Sequence, residues 1–247
     1  MDYFNKIIID IELHHVEGIR ECFENGINPN DLFHGRCLID EMITMYTRTP
    51  RFKECIKVFV DYGLKFEDPV LLAVLMDDSE MLDKLILQQP EIVIKRYSLK
   101  CTYTPLEDVT LLHICAEYNH VACARVLVNY KADINAVAGI DQYGFGGQTP
   151  IFHTVNSNND HSGPMMHFLL DHGANLDVTV RGIIWGKSFD WETLVPYVNP
   201  ISYAMMGLLP QMHRSEVVIN NNVRLLLKER YDIEYPLKNV PNKYLKS

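Results

Sequence analysis

One segment recurs along this chain, and a recurring unit restricts the folds open to it more than any other property of the sequence. The stretch LLDHGANLDV, starting at Leu169, has two Leu, two polar positions, a Gly where a helix ends, and then an extended turn of small, polar and apolar residues. VLVNYKADINA from Val126, CFENGINPN from Cys22, VFVDYGLKF from Val58 and LLLKERYDI from Leu225 are its relatives. Each follows an apolar pattern of helical period and ends near a Gly, Lys or Arg, where a left-handed residue or a cation suits a helix C-terminus. A single unit of this size cannot bury its own apolar face, so successive units must stack.

Upstream of these segments lies a second, shorter helix with its own entry signal. The signals are Gln148-Thr149-Pro150-Ile151-Phe152, Val109-Thr110-Leu111-Leu112-His113, Asp68-Pro69-Val70-Leu71-Leu72 and Asn199-Pro200-Ile201-Ser202-Tyr203. Thr, Asp or Asn supplies an N-cap, and Pro fits the first helical position because its missing N–H costs nothing there. The succession of turn, short helix, longer helix and Gly-Ala-Asp/Asn closure resembles the ankyrin repeat, whose helix-starting signature is T-P-L-H-x-A at a period of about 33 residues. Residues 110–136 are the closest copy, with Thr110 and His113 in the Thr and His places. Thr149, Pro150 and Gly173 carry the signature in the next unit, where Phe152 stands in the place of His.

The resemblance implies an all-α solenoid of about six helix-turn-helix units, at roughly 1–30, 37–67, 68–94, 110–136, 149–178 and 199–233, in one domain over 1–235 with a polar tail at 236–247. It also implies a non-enzymatic protein-interaction module that binds its partner through the concave helical face and the projecting loops, needs no cofactor, and uses His113 structurally at the turn into its helix.

Departures from the repeat locate the expected functional region. Helix starts at 37, 68, 110, 149 and 199 are separated by 31, 42, 39 and 50 residues, and the junctions Ile94 to Thr110, Asn135 to Thr149 and Asp177 to Asn199 are expanded. Extra length must leave a stack at its loop face, where binding residues concentrate. The segment GIDQYGFGGQ supplies Tyr143 and Phe145; the longest insertion supplies Trp185, Phe189, Trp191 and Tyr197, including both tryptophans of the chain. Tryptophan is enriched at interaction hot spots because it buries a large area with few rotatable bonds. Tyr143, Phe145, Trp185, Phe189 and Trp191 are therefore the expected protein-binding residues. Two alternatives stand beside this reading: the aromatics seal gaps between irregular repeats, or the 179–198 insertion walls a ligand pocket or active site with His153, Asp190 or Glu192 converging beneath the tryptophans.

Charge and composition narrow the partner. Residues 1–94 carry 18 Asp/Glu against 9 Lys/Arg, whereas residues 95–247 carry 14 of each, so the formal charge of −9 sits in the first part. This balance disfavours nucleic acid and anionic membrane, and favours solubility or a basic protein partner. No apolar run approaches the length of a membrane span, and the start does not read as a signal peptide. Six cysteines in mostly apolar segments read as reduced thiols in a cytoplasmic setting.

Chemical motifs are weak. Gly186-Lys187-Ser188 ends like a phosphate-binding loop, but Arg181 occupies the place of its first Gly. Gly144-Phe145-Gly146-Gly147 lacks the dinucleotide spacing. His153, His161, His167 and His172 crowd one unit without the tight pairing of a zinc site, so no metal is expected. Asp77-Asp78 and Glu107-Asp108 read as turn and helix-start residues, and Cys115 and Cys123 as small hydrophobes.

Overall fold

A computed structural model of the protein describes residues 2–157, 160–208 and 215–234; the tail expected at 236–247 lies outside the described residues. Helices follow one another in pairs: α1 (Tyr3–Glu12) with α2 (Val16–Glu24), α3 (Leu38–Thr44) with α4 (Phe52–Asp61), α5 (Pro69–Leu75) with α6 (Ser79–Gln88), and α7 (Leu111–Tyr118) with α8 (Val121–Asn129). A 3-10 turn, Pro150–His153, then stands in the place of a short helix before α9 (Gly163–Asp171), and α10 (Pro200–Met205) precedes α11 (Glu216–Tyr231). The apolar stripes merge into one continuous core, from Ile7 and Ile19 through Phe59, Leu75 and Leu127 to Leu169 and Leu226. All of α7 is buried, because it has stacked neighbours on both sides. Among the described residues, no helix is long and apolar enough to cross a membrane.

The stacking is fixed by hydrogen bonds that each unit lends to the next. Between the helices of a pair, the chain turns on a left-handed residue: His14 at φ 49°, Asp77 at 53° and Asn119 at 58°. The residue after it makes the same main-chain bond each time, His15 N to Asp10 O, Asp78 N to Ala73 O and His120 N to Cys115 O. First-turn N–H groups lack an acceptor within their own helix. Asp77 Oδ1 accepts the N–H of Cys123 in α8, and Asn119 Oδ1 accepts that of Met165 in α9, both at 3.0 Å. His14 Nδ1 meets Thr49 Oγ1 at 2.9 Å, just ahead of α4.

The far ends of the longer helices repeat with equal regularity. Gly26, Gly63, Lys131 and Gly173 all have positive φ, and the N–H groups of Ile27, Leu64, Ala132 and Ala174 then bond to the carbonyls of Cys22, Phe59, Leu127 and Leu169. Lys131 holds this conformation without the freedom of glycine, at a cost of roughly 1 kcal/mol. The turns that follow are clipped together by asparagine. Asn30 accepts from Lys65 N at 2.8 Å and donates to Gly63 O at 3.0 Å; Asn135 does the same with Asn175 N at 2.7 Å and Gly173 O at 3.1 Å.

The expectation of an all-α chain holds for the stacked helices and fails at the connections. Strands β1 (Leu32–Phe33) and β2 (Arg36–Cys37), β3 (Tyr97–Leu99) and β4 (Leu106–Val109), and β5 (Val180–Trp185) and β6 (Thr193–Val198) form three antiparallel two-stranded sheets. Long connections that leave the stack must satisfy their main-chain groups within themselves, and pairing into a hairpin does this. The insertion after Asn135 folds back through an isolated bridge between Ile140 and Gly146.

Helix entry shows what one departure from the repeat does. His113 Nδ1 meets the Thr110 hydroxyl at 2.9 Å and its Nε2 meets Gln148 O at 3.1 Å, which ties the entry turn to the next unit. Asn199 and Ser202 close an equivalent box, with Ser202 N donating to Asn199 Oδ1 at 2.8 Å. In the intervening unit, Phe152 cannot accept a hydrogen bond, and the buried Thr149 hydroxyl has no partner among the described residues. Thr110→Val is therefore expected to lower the unfolding free energy by about 1–2 kcal/mol, whereas Thr149→Val should leave it unchanged or raise it. Equal losses for the two variants in denaturant titrations would contradict this account of the entry turns.

Candidate functional site

The three insertions are joined to one another. Gly186 N donates to Tyr103 O at 2.9 Å, Gly146 N to Gly182 O at 2.8 Å, and Gly139 N to Glu107 O at 3.1 Å, while Lys187 pairs with Glu107 at 2.6 Å. Their anchorage to the stack is polar and runs from the surface into the core. Thr102 donates to Thr44 O, Tyr103 to Tyr46 O, and the Thr104 and Tyr203 hydroxyls meet at 2.9 Å.

At the centre of this anchorage lies Arg48, in the turn between α3 and α4. Its Nε donates to Glu117 Oε1 at 2.9 Å, one terminal nitrogen bonds Met45 O and Thr47 O, and the other lies 3.7 Å from Cys101 Sγ. The guanidinium also sits over the rings of Tyr118 and Tyr103, at 4.8 and 5.4 Å. Glu117 Oε2 is 3.0 Å from His153 Nδ1, and the Arg48 carbonyl is 2.6 Å from His161 Nδ1. The side chains of Arg48, Glu117 and His153 are 9, 4 and 0 % exposed, so this charge pair has little water to fall back on. Burial alone would raise the Glu117 carboxyl, but the His153 hydrogen bond and the Arg48 charge outweigh it and hold the group below the usual carboxylate range. The adjoining cavity, lined by Arg48, Phe52, Asn119, His120 and His161, has a volume of 60 Å³. Small-molecule pockets are typically about 300 Å³ or larger.

The insertions place the expected binding aromatics in two different environments. Trp185 is 2 % exposed and stacks on Tyr103 at 5.8 Å, so the expectation that it faces a partner is corrected: it lies on the inward side of β5 and seals the hairpin against the stack. Trp191 is 38 % exposed and stacks on Phe189 at 4.7 Å, and its indole N–H reaches Thr102 O at 3.4 Å. Gly186 makes this possible, since a Cβ there would come within 2.5 Å of the indole. Lys100 Nζ lies 4.6 Å from the centre of the half-buried Phe189 ring. Tyr143 is exposed, and the half-buried Phe145 occupies the space that a side chain on Gly182 would need.

Between these insertions runs a groove of 640 Å³, lined by Tyr143, Phe145, Ile184 and Leu194 with Asp141 and Glu192 among its polar residues. Leu194 and Tyr197 add exposed apolar surface on β6, and Tyr197 is held at φ 49°. The sequence reading left Ile184 and Leu194 out of the site; the alternation along the two hairpin strands was the signal that could have found them. The remaining candidates are scattered. His153 is committed to Glu117, Glu192 accepts from Ser188 N at 2.8 Å, Asp190 is exposed, and among the described residues no hydrogen bond links the three. His172 bonds Phe168 O within its own helix at 2.7 Å, and His167 is exposed.

Stacked helix pairs, left-handed closures and hairpin insertions define a helical-repeat solenoid. Residues 70–181 match the family model for ankyrin repeats, in three copies, so this stretch of the chain is built of ankyrin repeats. No curated protein matches its sequence.

The two tryptophans should respond differently to truncation. Trp185→Ala is expected to cost about 3 kcal/mol or more of stability, as buried aromatic cavities do, and Trp191→Ala less than about 1 kcal/mol. Denaturant unfolding measures both, and quencher-accessible emission should disappear with Trp191 and remain without Trp185.

Acid should destabilise the fold through its buried histidines. Burial pushes His14 down to about 4, aided by Arg48 and Arg51, and His113 to about 3, aided by His153. It also pushes His120 down to about 4 against the opposing influence of Asp77. The unfolded chain takes up these protons near 6.5, so the stability they contribute is complete above that pH and lost as pH falls toward 4. Tm should decline over this window, and His120→Gln should flatten the decline; a Tm constant from pH 7 to 4 would show that these histidines are not held neutral.

Proposed function

We propose that this protein is a non-enzymatic interaction scaffold whose protein partner docks on the surface of the inserted hairpins. Tyr143, Phe145, Phe189 and Trp191 are its contacts, and Leu194 and Tyr197 extend them. The observation that carries this reading is the exposed apolar surface on two of the mutually bonded insertions: Ile140 is 63 % exposed, Tyr143 63 %, Tyr197 73 % and Leu194 48 %. Contiguous apolar surface on an otherwise well-packed protein marks an interaction site.

The array runs beyond the matched stretch, through six units from α1 to α11, five of them helix pairs and one with the 3-10 turn before α9. Support comes from Asn30, which lies before residue 70 and makes the same two cross-unit bonds as Asn135 within it. The acidic balance of residues 1–94 favours a basic partner over nucleic acid or membrane, in a cytoplasmic inhibitor or adaptor role. Asp77 and Asp78 are occupied internally, the first with Lys53 and Cys123 N, the second capping Met81 N, so the steering charge falls to exposed acids such as Glu17, Glu54 and Glu80.

The test is a partner isolated from the native host by pull-down and then titrated against variants. Trp191→Ala and Tyr143→Ala should each cost about 2 kcal/mol of affinity while changing stability by less than about 1 kcal/mol. Association should slow as salt rises and slow further with Glu54→Lys and Glu80→Lys. A partner that binds all these variants as it binds the parent chain would overturn the proposal.

A further inference from the structure

Strand β5 leaves part of its outer edge open. Pro196 stands opposite Gly182 in the β5–β6 register and has no N–H to donate, so this is a non-hydrogen-bonded pair and the main-chain groups of Gly182 point away from β6. On that outer side the Gly182 carbonyl accepts from Gly146 N at 2.8 Å. Alternation turns Ile184 and Gly186 the same way, and Gly186 N donates to Tyr103 O at 2.9 Å. Gly146 and Tyr103 thus cover the edge on either side, and the outward N–H and C=O of Ile184 between them have no partner among the described residues.

A pit of 20 Å³ opens at this gap, bordered by Pro105, Gly139, Gln148, Ile184 and Lys187. Gln148 is 1 % exposed and its Nε2 donates to Pro105 O at 2.7 Å, which fixes the orientation of the amide, while Oε1 is left without a partner among the described residues. Through Phe145 and Ile184 the pit adjoins the 640 Å³ groove; through Pro105 and Glu107 it adjoins a basin of 400 Å³ lined by Leu99, Lys100, Leu106 and Ser188. At the neck Lys187 and Glu107 cancel each other. Asp141 and Glu192 remain on the groove side and Lys100 on the basin side, in no ion pair among the described residues.

Wide, narrow and wide spaces crossing an open strand edge match an extended chain, and the neck has room for about one water-sized group. We propose that this channel binds an extended peptide segment of the partner, with a Gly, Ala or Ser in the neck, an apolar and a basic side chain on the groove side, and an acidic side chain toward Lys100. One peptide group of the segment exchanges hydrogen bonds with Ile184 N–H and C=O, and an N–H donor at the neck satisfies Gln148 Oε1. This assignment rests on the scaffold reading above and names the partner's binding element.

The probe is a phage-displayed library of random peptides selected on the full-length protein. The selected peptides should share the basic and apolar, small, acidic order. They should also slow hydrogen exchange at the Ile184 amide, which exchanges freely without them, by at least about tenfold. Leu194→Asp and Ile184→Pro, the latter removing an outward N–H and the groove-lining side chain without breaking a β5–β6 hydrogen bond, should each weaken binding about tenfold or more, while Ile184→Val binds as the parent does. An Ile184 amide already protected in the free protein overturns the channel, as does a library that yields no binder. Peptides that ignore both groove variants but lose affinity with Trp191→Ala overturn the channel and leave the scaffold reading standing.

Discussion

The structure depends on what surrounds one guanidinium. Arg48 has left water, and its charge is balanced by Glu117, its donors by main-chain carbonyls, and its face by two tyrosine rings. Removing ions from water costs several kcal/mol each, so such a pair is tolerated only where the remaining hydrogen bonds are made. Meeting that requirement draws together the turn after α3, the body of α7, the tip of the β3–β4 hairpin and the two histidines of the following unit. A plain solenoid needs contacts only between neighbours. Here Arg48 meets α7 past the intervening α5–α6 pair, and the β3–β4 insertion reaches the same centre through Cys101 and Tyr103.

A second constraint works at the ends of helices. Short helices leave a large share of their N–H and C=O groups without internal partners. The protein answers with side chains from adjacent units: Asp77 and Asn119 for helix starts, Asn30 and Asn135 for the turns beyond helix ends. A unit is therefore incomplete both in its apolar face and in its hydrogen bonds until its neighbour is present.

Much of this was legible in the sequence. The helix starts at Thr110, Thr149 and Asn199, the left-handed closures at Gly26, Gly63 and Gly173, and even Lys131 as a helix-end residue, follow from local chemistry that acts over a few positions. The hairpins were less legible because VRGIIW and TLVPYV lie among turn residues and pair only with each other, across an intervening loop. Arg48, Glu117 and His153 carry no local signature, since they are brought together by stacking and not by spacing. The two tryptophans looked equivalent in sequence; strand alternation turned Trp185 inward, and Gly186 gave Trp191 a flat seat beyond the strand.

The side-chain caps at the starts of α8 and α9 both point one way along the chain. Asp77 and Asn119 serve a helix made later than themselves, as Asn30 and Asn135 serve a later turn. For a protein emerging from the ribosome, α8 and α9 each find this cap already in place. Arg48 is the exception to this order. It is synthesised long before Cys101, Glu117, His153 and His161, and until they arrive its charge must remain in water. Arg48 therefore ties the turn between α3 and α4 to a residue 113 positions later in the chain.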